Sequence, residues 1–143
     1  MKYHFKVYKE NVGFSAQGIE LEGCITQGDT YEELQHNMQD ALNLYLDEPA
    51  DSTDLIPLPD ATIQAADTIV EVPVDPDIAL ALLVRTNRIN LGLTQLEAAK
   101  KMGFDSVYSY QRLETAKCNP TLKILAKIKQ LFPDFSVDYI LNV

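Results

Sequence analysis

The stretch Leu91-Gly92-Leu93-Thr94-Gln95-Leu96-Glu97-Ala98-Ala99-Lys100-Lys101-Met102-Gly103 decides the fold of the carboxy-terminal half of this chain. Thr94 is a favoured N-cap residue for a helix, and Leu96 and Ala99 follow it at helical spacing. The small side chain of Ala99 allows a second helix to approach closely. Gly103 stands where the end of a helix needs a residue with positive φ. The stretch therefore predicts a short helix followed by a tight turn.

The residues that follow predict a second helix packed against the first. Asp105 can cap this helix, and its apolar side chains recur three residues apart, so that they form one buried face. These side chains are Val107, Tyr110 and Leu113. A short helix, a tight turn and a second helix make up the helix-turn-helix, whose second helix enters the major groove of DNA.

Three further helices complete the predicted bundle, over residues 75–91, 121–132 and 136–141. Asp75-Pro76 supplies an N-cap and a proline at the first helical position, and Gly92 ends that helix. Its opening, Ile78 to Val84, is apolar almost all round, which is more apolar surface than one small helical domain needs. The excess apolar surface is expected to pack on a second copy or on the first half of the chain. The second of the three carries an apolar stripe of Leu122, Leu125, Ile128 and Leu131.

The amino-terminal half predicts a small α/β sandwich, which makes the chain α+β. Alternating apolar residues predict strands near residues 3–8, 14–19, 24–26 and 68–74, and Pro73 indicates that the last lies at a sheet edge or that Pro73 is near the end of its strand. Thr30 and Glu33 fit a capping box. The helix that they start has an apolar stripe of Leu34, Met38, Ala41, Leu42 and Tyr45. Residues 47–66 contain three prolines and predict a long loop, whose apolar part, 55–58, is expected to pack on this domain.

The charge is divided between the two halves. Residues 1–77 contain 3 Lys+Arg and 16 Asp+Glu, whereas residues 78–143 contain 9 and 5. The net charge of −9 argues against nucleic acid as a partner only while the chain is taken as a whole. The basic half on its own could meet phosphate, and the acidic half could meet a basic protein. An acidic surface that only keeps the protein soluble is the alternative.

The sequence offers little support for catalysis, metals or cofactors. It has no recognisable Ser/His/Asp or Cys/His set and no glycine-rich phosphate loop, and its histidines are His4 and His36. His4 lies on the polar face of a strand and is interpreted as a surface residue. Cys24 and Cys118 are far apart, which indicates reduced thiols and a cytoplasmic location. The first residues alternate in polarity unlike a signal peptide, and no run reaches the ~20 apolar residues of a membrane span.

Residues 78–141 resemble the Cro/C1 (Xre-like) repressor family. The matching segments are Gly92–Gln95, Ala98–Gly103, Arg112–Glu114 and Asn119–Leu122. The chain between Gly103 and Leu113 is one residue longer than the common family pattern, which affects the register of the recognition helix.

This resemblance implies a set of DNA-binding candidates. Gln95 would touch phosphate at the start of its helix. Ser106, Tyr108, Ser109 and Arg112 lie off the apolar face of the recognition helix and would reach base edges. Lys100, Lys117 and Arg88 would meet phosphates. The resulting set of site candidates is Thr94, Gln95, Ser106, Tyr108, Ser109, Arg112 and Lys117.

Residues 1–74 contain the segments Gly23-Cys24 and Thr26 to Thr30, then Glu33 and later Leu55 to Pro59. On these residues, most of all those from Gly23 to Glu33, this half of the chain resembles the HicB antitoxin family. The family domain resembles a trimmed RNase H fold of ββαβ type without nuclease chemistry. HicB proteins carry either a ribbon-helix-helix or a helix-turn-helix module behind it, and the second arrangement matches this chain.

Together the resemblances imply a type II antitoxin with two domains. Domain 1–74 would bind a small, basic, RNA-cleaving HicA-like toxin, with Glu20, Glu22 and Asp29 as candidate contacts. Domain 75–143 would bind operator DNA as a homodimer or higher oligomer and repress its own operon. A stand-alone DNA-binding regulator with a sensing or oligomerisation domain is the first alternative, and an enzyme of the RNase H type is the second.

Overall fold

The computed structural model describes residues 1–142, which form two compact units. The first unit contains residues 1–46, 57–75 and 142, and the second contains residues 47–56 and 76–141. In the described part of the chain there are four β-strands and six α-helices, so the fold is α+β, as predicted.

The first unit is an antiparallel sheet with one helix packed on it. The strands are β1 (Lys2–Lys9), β2 (Phe14–Gly18), β3 (Ile25–Gly28) and β4 (Ile69–Pro73), in the order β3-β2-β1-β4. Strand β4 is therefore an edge strand, as Pro73 predicted. Helix α1 spans Tyr31–Leu46, and its buried residues Leu34, Met38, Leu42 and Leu46 recur at helical spacing. This stripe and the buried side chains of Tyr3 and Phe5 form the core of the unit.

The start of α1 is fixed by side-chain hydrogen bonds and a close backbone approach. The Thr30 hydroxyl accepts a hydrogen bond from the backbone N–H of Glu33 at 3.1 Å. The Glu33 carboxylate accepts a hydrogen bond from the backbone N–H of Asp29 at 3.2 Å. This donor lies one residue before the N-cap, whereas a capping box requires the backbone N–H of the N-cap itself. A Cβ on Gly28 would lie 2.6 Å from the backbone nitrogen of Leu34, so only glycine fits between β3 and this helix.

The segment between α1 and β4 does not follow the predicted domain boundary. The structure describes it throughout, and it contains no helix or full strand, as its prolines predict. However, residues 47–56 group with the second unit, whereas the sequence placed them in domain 1–74. Of the apolar residues 55–58, Pro57 and Leu58 group with the first unit as predicted, whereas Leu55 and Ile56 group with the second, because the preceding backbone is hydrogen-bonded there.

The second unit is a bundle of short helices around a buried one. Its helices are α2 (Pro76–Asn90), α3 (Gln95–Lys101), α4 (Val107–Gln111), α5 (Leu122–Leu131) and α6 (Val137–Leu141), and a 3-10 turn over Arg112–Glu114 extends α4. Every residue of α2 from Ile78 to Thr86 is buried in the single chain. The predicted apolar stripe of α5 is wrong at its first residue. Ile128 is buried, but Leu122 is 84% exposed, because the helix presents its first turn to solvent.

Candidate functional site

Helix α3 begins at a capping box formed by Thr94 and Glu97. The Thr94 hydroxyl accepts a hydrogen bond from the backbone N–H of Glu97 at 3.1 Å, and the Glu97 carboxylate accepts one from the backbone N–H of Thr94 at 3.1 Å. The bond from the Thr94 backbone, followed by that with its side chain, holds the pKa of Glu97 below its ordinary value. Thr94, a predicted DNA contact, thus fixes the start of the helix with its side chain.

The turn between α3 and α4 is a Schellman motif centred on Gly103. The N–H of Gly103 donates to the carbonyl of Lys100 at 3.1 Å, and the N–H of Phe104 donates to that of Ala99 at 2.9 Å. Gly103 has a φ of 78°, a conformation that strains any residue with a Cβ. The sequence predicted that the glycine at this position ends the helix. In the structure it also sets the direction in which the chain enters α4.

Helix α4 is capped by Ser106. The Ser106 hydroxyl accepts a hydrogen bond from the backbone N–H of Ser109 at 3.3 Å. The prediction that Asp105 caps this helix is wrong, because Ser106 is the residue with the extended backbone of an N-cap, with φ −142° and ψ 157°.

The face of α4 opposite its buried side chains carries the base-reading candidates. Tyr110 and Leu113 are buried and Val107 is half-buried, as their spacing predicted. Four side chains of this region are exposed, and Tyr108 among them is 73% exposed. They are Ser106, Tyr108, Ser109 and Arg112. Tyr108 and Ser109 lie on α4 and Arg112 in the 3-10 turn that extends it, whereas Ser106 precedes the helix and caps it with its hydroxyl.

The amide of Gln95 is engaged within the protein. Its Nε2 atom donates to the carbonyl of Ala50 at 2.6 Å and lies 3.3 Å from Glu114 Oε1. Its Oε1 atom accepts a hydrogen bond from Gln111 Nε2 at 2.8 Å. A phosphate can therefore reach the predicted contact only by replacing one of these partners.

A buried charged network lies behind α3 and α4. Glu114 is fully buried; its carboxylate accepts hydrogen bonds from Arg88 Nε at 2.6 Å and Arg88 Nη2 at 3.0 Å. Arg85 Nη2 donates to the carbonyl of Glu114 at 2.7 Å and to that of Pro49 at 3.0 Å. The prediction that Arg88 meets phosphate is wrong, because its guanidinium is committed to this network. Burial, followed by the charge of Glu114, raises the pKa of Tyr110 nearby.

Sequence reasoning missed this network, although one signal was present. Arg85 and Arg88 stand one turn apart, directly after the almost wholly apolar run from Ile78 to Val84. Two cations that fold into a core require a buried anion. Glu114, directly after the buried Leu113, is the candidate that this requirement would have found.

Residues 47–56, which we call the acidic segment, belong to the second unit and are hydrogen-bonded there to side chains of α2 and α3. The segment contains Asp47, Glu48, Asp51 and Asp54, and its carbonyls at Pro49 and Ala50 accept the hydrogen bonds from Arg85 and Gln95. A cleft of about 390 Å³ is lined by Asp47, Glu48, Pro49, Ala50, Thr115, Ala116 and Lys117. The phosphate-contact candidate Lys117 therefore shares a cleft with two carboxylates, whereas Lys100 is exposed on α3.

Glu20, a toxin-contact candidate, is not a free surface charge. Its side chain is 4% exposed, and its carboxylate accepts hydrogen bonds from the backbone N–H groups of His4 at 2.9 Å and Asp60 at 3.1 Å. The second oxygen also lies 2.8 Å from His4 Nδ1. The interpretation of His4 as a surface residue is wrong too, because Glu20 and the chain around Asp60 cover the sheet face on which it lies.

The other two toxin-contact candidates are exposed. Glu22 and Asp29 both present their side chains to solvent. Their backbones are used in the fold: the carbonyl of Glu22 accepts a hydrogen bond from the Tyr45 hydroxyl at 2.9 Å. Their carboxylates are accessible to a partner.

No family model matches this chain, and no match was found among curated proteins. Within residues 1–142, no group of three or more His, Cys, Asp or Glu side chains is placed to hold a metal ion. None of the helices in that range is long and apolar enough to cross a bilayer.

Proposed function

We propose that the second unit binds DNA through α4. The observation that carries this proposal is that Tyr108 and Ser109 on α4 and Arg112 in the 3-10 turn that extends it are exposed, while Tyr110 and Leu113 are buried. The helix is held by a capped α3 and a defined turn, as a helix-turn-helix requires. Serine, tyrosine and arginine side chains at this spacing can donate hydrogen bonds to base edges in the major groove.

The charge of the helices supports the same function. Residues 76–141 contain nine Lys or Arg and six Asp or Glu residues. Arg85 and Arg88 are buried, but Lys100, Arg112, Lys117 and Lys123 are exposed and can approach phosphates. Binding to DNA should therefore weaken steeply with salt, despite the net charge of −9 of the whole chain.

The first unit is proposed to bind a small basic protein. It holds eleven acidic and three basic residues, and its sequence resembles the HicB antitoxins. A partner of the HicA kind, an RNA-cleaving toxin, would be neutralised by direct binding, while the second unit represses the operon from operator DNA. The protein would act in the cytoplasm as a homodimer, since a helix-turn-helix reads two half-sites.

The DNA-binding proposal is tested with a duplex from the region upstream of the protein's own gene and a scrambled duplex of equal length. We expect the full chain to bind the first more tightly. Arg112→Ala or Ser109→Ala should each cost about 1–3 kcal/mol of binding free energy where the side chain contacts a base edge.

Lys9→Ala is the matched control for Arg112→Ala, because it removes one exposed positive charge from the first unit. It should leave DNA affinity nearly unchanged. Equal affinity of the wild type for both duplexes would contradict specific DNA binding. Unchanged affinity of both α4 variants would contradict the register proposed for this helix.

Co-purification with the product of the neighbouring gene tests the antitoxin part of the proposal. A small basic protein that co-purifies with the chain, and whose RNA cleavage stops when the chain is added, would support it. DNA binding with no such partner would favour the alternative, a stand-alone regulator whose first unit senses a ligand or mediates oligomerisation.

A further inference from the structure

The acidic segment occupies hydrogen-bonding groups that DNA would use. The Ala50 carbonyl oxygen lies 2.6 Å from Gln95 Nε2, and a phosphate oxygen is the same kind of acceptor. The second N–H of this amide points at Glu114. The N–H that Ala50 occupies can therefore bind a phosphate only after Ala50 has left.

The charges of the segment act in the same direction. Its four carboxylates turn the balance of the second unit from nine basic against six acidic residues to nine against ten. Asp47 and Glu48 line the cleft that Lys117 also lines. In this position they reduce the attraction of the surface for a polyanion.

These carboxylates are not what holds the segment in place. Its contacts with Arg85 and Gln95 are made by backbone carbonyls. In the part of the chain that the structure describes, no ion pair within 4.0 Å joins Asp47, Glu48, Asp51 or Asp54 to a basic residue. Unpaired carboxylates beside a basic surface contribute little to stability but oppose the approach of phosphate.

We infer that the acidic segment, residues 47–56, is an internal competitor of DNA that covers the phosphate-contacting part of the second unit and must be displaced for tight binding. This inference rests on the proposed DNA-binding function. It adds two states of the protein. In the closed state the Ala50 carbonyl accepts the hydrogen bond from Gln95, and in the open state a phosphate accepts it. DNA affinity is lowered by the fraction of molecules that are closed.

The test neutralises the segment without removing its backbone anchors. The triple variant Asp47→Asn/Glu48→Gln/Asp51→Asn is compared with Glu32→Gln/Asp40→Asn/Asp67→Asn, which changes the charge equally at exposed positions of the first unit. Both full-length proteins are titrated onto the upstream duplex and the scrambled duplex at several salt concentrations. We expect the segment variant to bind about tenfold more tightly than the control variant, with the gap narrowing at high salt.

A second measurement follows the segment itself. Hydrogen exchange of residues 47–56 in the wild type should become faster when the upstream duplex binds, and thermal unfolding should confirm that both variants are folded. Equal affinity of the two variants, with unchanged exchange, would overturn the inference and leave DNA binding intact. Failure of every protein to distinguish the two duplexes would instead overturn the proposed function, and this inference with it.

Discussion

Glu20 shows that a single carboxylate can be assigned to the wrong part of a protein when only its neighbours in sequence are known. The sequence places it in a polar turn after a strand. In the structure it accepts two backbone hydrogen bonds and lies beside His4. The partner group at Asp60 is distant in sequence, so no local pattern could have indicated this contact.

This contact leads to a prediction about stability. Glu20→Lys should lower the free energy of unfolding by about 3 kcal/mol, because it leaves the N–H groups of His4 and Asp60 without an acceptor and buries a cation beside His4. Glu22→Lys, two residues away and exposed, should change it by less than about 0.5 kcal/mol. Urea unfolding of the two variants measures both values. Equal effects would show that Glu20 is a surface charge after all.

At the scale of elements, the helices and strands with strong terminal signals could be predicted from sequence. Gly92 and Gly103 marked the ends of α2 and α3 because few other residues adopt positive φ easily. The apolar spacing of α5 gave a wrong prediction for its first turn. Spacing identifies the side chains that share one face of a helix, but it does not show how far the neighbouring helices extend along that face. The cap of α4 was misplaced by one residue because Asp105 and Ser106 are both good N-cap residues.

The cap of α3 gives a prediction that depends on pH. The hydrogen bonds with Thr94 lower the pKa of Glu97 in the folded chain, so they stabilise the fold above the unfolded-state pKa. This stabilisation is lost as the pH falls through the lower, folded-state pKa. Thr94→Ala should remove the side-chain bond and move the Glu97 titration midpoint, followed by NMR, upward.

The matched control for Thr94→Ala is Thr121→Ala, which removes the equivalent cap of α5. It should cost a similar amount of stability, about 1 kcal/mol, but should leave the Glu97 midpoint where it is. A midpoint that does not move in Thr94→Ala would mean that the backbone bond alone sets this pKa.

At the scale of the whole molecule, the division of charge was visible in the sequence, but its spatial arrangement was not. Counting residues along the chain assigned all sixteen acids of residues 1–77 to the first half. The fold instead gives five of them to the second unit, namely the four of the acidic segment and Asp77. The acidic segment is anchored there by its backbone carbonyls, which accept hydrogen bonds from Arg85 and Gln95, and the sequence contains no signal that links those side chains to a proline-rich loop.

The acidity of the first unit leads to a prediction about association. Glu22→Gln/Asp29→Asn should slow association with a basic toxin and reduce its dependence on salt, because long-range attraction acts mainly on encounter. Asp134→Asn/Asp138→Asn changes the charge equally in the second unit and should slow association less. Stopped-flow mixing at low and high salt measures both rates. Equal rates for the two variants would show that the charges at Glu22 and Asp29 do not orient the partner.

The acidic segment also has a consequence for how such a protein can change over evolutionary time. In the gene, residues 47–56 lie inside the coding region of the first unit, yet they group with the second unit in the fold. A recombination event near codon 75 would replace the helices, and with them Arg85 and Gln95. It would keep the segment whose carbonyls bind these two side chains. The two modules are therefore not freely interchangeable. A successful exchange requires that residues 47–56 fit the incoming helices, although the rest of the first unit stays unchanged.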